Sequence, residues 1–263
     1  MTLLLILLGL LAGGFGSILG LGGGVLILPL TQVLLGFDAL LAVGTTLVAV
    51  VFTAFSGSIA HFRAGNINFR GAVETGGGGI VGVALGSVIF KQYLTTNILI
   101  IKTLLGFFFL LVGLRMAWEY YLDLAAVEVK PKAGRRYLPD HMSGFLVLGF
   151  FSGLLTGTMG LGGGAVMVPG MIFFLSLSPL VAAGTTMLAM LPITVLGGII
   201  KINQGFVDMP AAILLGLGCM IGAPLGLKAA RYMKPRWIKM IFVLIFAYMS
   251  LSYLYPVFLH IFS

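Results

Sequence analysis

The sequence predicts an all-α polytopic membrane protein made of two inverted-topology repeats, each a glycine-tipped helical hairpin followed by three transmembrane helices. Three observations lead there: an apolar composition, a duplication at constant offset, and a lopsided distribution of cations. Of 263 residues, 60% are hydrophobic and 8% charged, and the mean hydropathy is +1.16. Soluble domains average roughly 25% charged residues. A third of that fraction cannot cover a globule in water, so a soluble protein is excluded. Glycine supplies 39 positions, about twice ordinary usage, and is common where membrane helices pack closely.

Apolar runs fall at about 2–36, 39–60, 72–90, 97–117, 143–176, 179–200, 210–230 and 237–259. A spanning helix needs roughly 20 residues, so six of these are single spans. The runs 2–36 and 143–176 are too long for one span and are interrupted by glycines. The opening MTLLLILLGLLAGGFGSILG has the look of a signal peptide, yet it lacks a basic start and a near-copy returns at 149. It is expected to stay as a membrane segment.

The duplication appears when the chain is slid by 140 residues. Gly20-Leu21-Gly22-Gly23-Gly24 then falls on Gly160-Leu161-Gly162-Gly163-Gly164, Pro29 on Pro169, and Gly44-Thr45-Thr46 on Gly184-Thr185-Thr186. Gly57, Gly65, Gly78, Gly82 and Gly86 meet Gly197, Gly205, Gly218, Gly222 and Gly226, with no gap. The expected division is a first repeat at 1–117, a charged linker at 118–142 and a second repeat at 143–263.

Orientation follows from the positive-inside bias of short loops. If each long run crossed once, eight cations (Arg63, Arg70, Arg115, Lys130, Lys132, Arg135, Arg136, Lys201) would oppose seven (Lys91, Lys102, Lys228, Arg231, Lys234, Arg236, Lys239). If each instead turns back at its glycines, Lys228 to Lys239 and Lys201 exchange sides, which leaves only Lys91, Lys102 and Lys201 opposite twelve. The bias selects hairpins. Inverted halves, a cytoplasmic linker and both termini outside follow. The cations sit in short loops between apolar runs, so their partner is an anionic lipid surface and not nucleic acid.

The first arm, 2–19, is about 27 Å long if helical and the return arm, 25–36, about 18 Å, which sets the glycine tip deep in the bilayer. Irregular backbone at that depth is tolerated only where it lines a cavity or is buried in protein. Transporters of inverted repeats put such breaks at the substrate site, with half-helix N-termini facing anionic groups. The residues at issue are Gly22, Gly23, Gly24 and Val25 with Gly162, Gly163, Gly164 and Ala165. Their free N–H groups and positive dipole ends suit an anion without a buried lysine or arginine. Close helix packing is the competing reading. Thr45, Thr46, Thr185 and Thr186 are expected about one and a half turns into their helices; their hydroxyls can donate to an oxyanion, or serve helix–helix hydrogen bonding.

The doubled LGLGGG segment, followed by proline and a Gly-Thr-Thr helix, resembles the sulfite exporter TauE/SafE-like permeases over nearly the whole chain. That resemblance implies a prokaryotic inner-membrane transporter of small sulfur-containing anions: sulfite, thiosulfate or organosulfonates such as sulfoacetate. It assigns substrate contact to Gly20 through Gly24 with Thr45 and Thr46, and to Gly160 through Gly164 with Thr185 and Thr186. The halves differ at Phe52 and Ser56 against Pro192 and Leu196, so an asymmetric pocket is expected. A secondary transporter working by alternating access is the leading reading; a passive anion channel and a non-transporting membrane subunit or enzyme are the alternatives.

Few ionisable groups fall inside spans, where they would mark a coupling path. Glu74 follows Arg70 by four residues, which suits an ion pair; it and His61 are the candidates for ion coupling. His61 aligns with Lys201, and each is expected to snorkel or to cap a helix C-terminus. Lys102 is expected to snorkel, and His141 and His260 to be solvated. Cys219 reads as a small core residue and Pro224 as a kink. No catalytic residue, metal cluster or cofactor is expected.

Overall fold

The computed structural model describes residues 2–96, 98–124 and 142–229, and within the last helix 240, 243–244, 246–248 and 250–255. The linker expected at 118–142 lies largely outside the described residues, as do His141 and His260.

Helix α1 spans Thr2–Leu19 and α2 Gly24–Leu35, α3 Ala39–Arg63 and α4 Phe69–Ile89; α4 runs into a π-helical segment, Phe90–Leu94, and α5 spans Ile98–Leu124. The second half gives α6 at Met142–Met159, α7 at Gly164–Phe173, α8 at Pro179–Asn203 and α9 at Met209–Ala229. Local chemistry fixes these limits. Asp38 caps α3 by accepting from the Leu41 N–H at 2.7 Å. Asn68 and Asp208, an offset pair, cap α4 and α9 by accepting from Gly71 (3.0 Å) and Ala211 (2.9 Å). Pro179 opens α8, where its missing N–H removes no bond. Helix α2 closes on Gly36 in the left-handed conformation.

Five described helices are long and apolar enough to cross a bilayer: Thr2–Leu19, Ala39–Arg63, Phe69–Leu94, Pro179–Asn203 and Met209–Ala229. Helices α2 and α7, at 12 and 10 residues, reach about 18 and 15 Å, well short of the roughly 30 Å hydrocarbon core. They are half-helices, as the two long glycine-broken runs require. Large apolar side chains line the outside, among them Leu3 and Leu11 on α1, Val73 and Val81 on α4, and Ile221 and Leu225 on α9. Continuous apolar faces of this kind belong in lipid. The chain is a multi-pass membrane protein.

The halves pack crosswise, α1 on α9 and α4 on α6, with α3 and α8 between them. Small residues allow the crossings. A methyl group added at Gly222 would strike the Leu10 carbonyl of α1, and one at Gly82 the Phe150 carbonyl of α6. Each contact repeats the other at the offset of 140 residues in sequence. Without a water-driven hydrophobic force between helices in lipid, such backbone approach carries association. Phe109 on α5 stacks on Phe246 and Tyr253, with ring centroids at 5.8 and 5.9 Å, and ties α5 to the last helix.

Two points of the sequence reading change. Helix α5 continues to Leu124, past the boundary expected at 117, because Trp118, Tyr120 and Tyr121 are amphipathic residues suited to a membrane interface. His61 and Lys201 do not snorkel: both are completely buried, His61 against the Ser17 carbonyl of α1 and Lys201 over the Phe90 ring, and both lie in the last turns of their helices, as the capping alternative requires. Cys219 is buried, as expected of a small core residue, and Pro224 lies within α9.

Candidate functional site

The site is built from the two places where the helical hydrogen-bond ladder stops inside the protein. After α1 the chain turns at Gly20, Gly22 and Gly23 (φ 70°, 72° and 76°), and after α6 at Gly160, Gly162 and Gly163 (φ 70°, 80° and 76°). Only glycine takes this conformation without strain. Gly23 and Gly163 are the N-caps of α2 and α7, and neither brings a side chain to the first-turn N–H groups. Each cap carbonyl accepts from the residues three and four positions on: Leu26 and Ile27 in the first half, Val166 and Met167 in the second. The N–H groups of Gly23, Gly24 and Val25, and of Gly163, Gly164 and Ala165, have no acceptor among the described residues.

The two tips meet. A Cβ at Gly24 would lie 2.8 Å from the Leu161 carbonyl oxygen, and one at Gly164 would lie 2.8 Å from the Leu21 Cα. Gly22 and Gly162 both face Val50 of α3 and Met190 of α8, residues near the midpoints of those 25-residue helices. Gly20 through Gly24 and Gly160 through Gly164 are buried. The positive ends of two half-helices therefore converge level with the midpoints of α3 and α8, against one valine and one methionine.

The threonines divide into two kinds. Thr45 Oγ1 accepts from the Asp208 N–H and Thr185 Oγ1 from the Asn68 N–H, both at 3.0 Å. Each joins its helix to the cap of a helix in the other half. Thr46 and Thr186 lie one turn before Val50 and Met190, on the faces that touch the tips, and are fully buried. Thr186 Oγ1 points at Met171 Sδ (3.6 Å), whereas Thr46 Oγ1 has no partner among the described residues. The sequence reading did not single out Thr53, three residues after Val50, whose buried hydroxyl lies against the Cys219 thiol of α9. It likewise passed over Ser152 and Thr156, which lie under the second tip; a Cβ at Gly163 would sit 2.8 Å from Thr156 Oγ1 and 3.3 Å from Ser152 Cβ. The offset alignment carried a signal for both, because Ala12 and Gly16 stand opposite them.

The coupling candidates lie apart from the tips. Glu74 accepts from Arg70 Nε at 2.9 Å at the start of α4. His61, near the end of α3, donates from Nε2 to the Ser17 carbonyl at 3.2 Å. Among the described residues no group of three or more His, Cys, Asp or Glu side chains is placed to hold a metal ion.

Comparison with known proteins places the chain among membrane transporters. The profile of the sulfite exporter TauE/SafE family matches residues 5–253. A probable membrane transporter of Bacillus subtilis, YdhB, is 29% identical, covering 88% of this chain and 89% of that protein. A probable membrane transporter of Methanocaldococcus jannaschii is 26% identical over 94% of this chain and 93% of its own length. A second from Bacillus subtilis, YunE, is 27% identical over 90% and 92%. With the profile spanning almost the whole chain, the protein belongs to the sulfite exporter TauE/SafE family of membrane transporters.

Proposed function

We propose that the protein is a secondary transporter of a small sulfur-containing anion (sulfite, thiosulfate or an organosulfonate such as sulfoacetate) in the cell's inner membrane, working by alternating access of two inverted repeats. The observation that carries this is the meeting of two half-helix N-termini, with unpaired N–H groups, at the midpoints of α3 and α8. Backbone donors hold an oxyanion by many short hydrogen bonds and add no fixed charge that would retain it. Membership of a family of sulfite exporters supports a sulfur oxyanion.

The crosswise packing of α1 on α9 and α4 on α6 supports exchange between two states, because each half grips the other through smooth glycine faces that permit rocking. The distribution of cations supports a cytoplasmic linker and external termini. Val50 and Met190 favour a transporter over an open channel: they cover both tips, so an ion reaches the site only after one helix moves.

The test is counterflow of labelled sulfite in proteoliposomes, competed with thiosulfate, sulfoacetate, sulfate, acetate and chloride. Sulfur oxyanions should compete and chloride should not. A folded Gly23→Leu/Gly163→Leu protein should lose counterflow, since leucine covers the free N–H groups. Normal counterflow in that variant, or competition by none of the anions, contradicts the reading.

A further inference from the structure

Lys201 is the one lysine that the described residues enclose completely. Its Nζ has no hydrogen-bond partner among them, and the ion pair they contain is Arg70 with Glu74. What lies beneath it is an aromatic face: Nζ is 2.9 Å from the centroid of the Phe90 ring, itself fully buried. Phe90 is held edge-on by Phe206, with centroids at 5.5 Å.

The surroundings of this ammonium are polar and incomplete. Phe90 begins the π-helical segment Phe90–Leu94 at the end of α4, a kind of irregularity frequent at functional sites. Ser87 lies one turn before Phe90, buried, with its Oγ unpartnered. Gln204 lies one turn beyond Lys201 and donates from Nε2 to the Ser87 carbonyl at 3.2 Å, which leaves its Oε1 unpartnered. A cation–π contact occupies one side of an ammonium. The other sides of Nζ and the Ser87 hydroxyl have no partner among the described residues, and a buried polar group left unpaired is costly.

We propose that Lys201 and Ser87 form a second anion station that takes the transported oxyanion on its way to or from the glycine tips. Lys201 is eleven residues beyond Met190, about 16 Å along α8, so the station is separate from the tips. The aligned position holds His61, already bonded to the Ser17 carbonyl, so the station belongs to one half alone. With the orientation proposed above it faces the outside. This proposal rests on the anion-transport reading of the tips.

The experiment measures the half-saturating sulfite concentration for transport in proteoliposomes, beside sulfite-dependent thermal stabilisation of the purified protein. Lys201→Met should raise half-saturation at least tenfold while maximal rate changes less than threefold, and Lys201→Arg should return it to within threefold of the wild type. Ser87→Ala should raise it two- to fivefold, and it carries the test should Lys201→Met fail to fold. An unchanged half-saturation in either folded variant overturns the proposal. A phospholipid headgroup offers the same chemistry as a free oxyanion. Stabilisation by phosphatidylglycerol that Lys201→Met abolishes, with sulfite half-saturation unchanged, would assign the station to lipid and overturn the transport role. A wild type that carries no sulfur anion contradicts the tip reading instead; sulfite stabilisation lost in Lys201→Met would then still uphold the station.

Discussion

The two glycine tips carry the same five residues, yet they are wired differently. In the first, the N–H groups of Leu21 and Gly22 both donate to the Gly16 carbonyl, at 2.8 and 3.2 Å, and Gly20 donates to Ser17. The loop is wound back onto α1. In the second, Gly160 donates to Thr156 at 2.8 Å, and the N–H groups of Leu161 and Gly162 have no acceptor among the described residues. The cause lies one turn below. A Cβ at Gly16 would strike the Gly23 backbone, so the wound-back loop requires glycine there. The aligned residue is Thr156, whose side chain occupies that space and holds the second tip open. The floor changes too, from Ala12 to Ser152, whose Oγ is unpartnered. The lesson is that a repeat can keep its motif and still assign unequal roles through the residue beneath it: the second tip offers more unpaired donors than the first.

The comparison breaks most sharply at residue 156. Thr156→Gly should let the second loop wind back as the first does, withdrawing the Leu161 and Gly162 donors. Hydrogen bonds to a charged group are worth about 1.5–3 kcal/mol each, so half-saturating sulfite should rise tenfold or more in proteoliposome uptake. Equal affinity would show that the open N–H groups do not bind substrate.

A smaller effect tests symmetry where the halves agree. Thr45→Val and Thr185→Val each leave a backbone N–H, of Asp208 or Asn68, without its acceptor. Each should lower stability by about 1–3 kcal/mol, and by matching amounts in thermal unfolding. A loss in one alone would separate structural from substrate-contacting threonines.

The smallest effect concerns the floor. Ser152→Ala removes a hydroxyl that no protein group uses, so thermal stability should hold or rise while half-saturating sulfite increases two- to threefold. Ala12→Ser, the reciprocal change under the wound-back tip, should leave uptake unaltered. Equal behaviour of the two would remove the asymmetry.

Much of this was legible before any coordinates. The glycine-broken runs gave half-helices at 24–35 and 164–173 because a run too long to cross once, interrupted by residues that break helices, has few other solutions in lipid. The Gly-Thr-Thr segments fell where expected, since Asp38 and Pro179 mark where their helices begin. What stayed hidden depended on contacts between halves. Thr45 and Thr185 bond to caps more than a hundred residues away in sequence, which no local pattern encodes. His61 and Lys201 looked like interfacial side chains because each ends a span, and tertiary packing encloses them, His61 against α1 of its own half and Lys201 against Phe90 of the other. The wiring of the tips was visible in principle at Gly16 and Thr156, but its meaning needed the backbone path above them.

The most direct test of the central claim is to titrate sulfite into the protein labelled with ¹⁵N-glycine in lipid nanodiscs and follow the assigned amide resonances. Saturable shifts should be largest at Gly162, Gly163 and Gly164, smaller at Gly22, Gly23 and Gly24, and absent at the packing glycines Gly82 and Gly222. Saturation with no shift at either tip, or shifts confined to the packing glycines, would contradict the account.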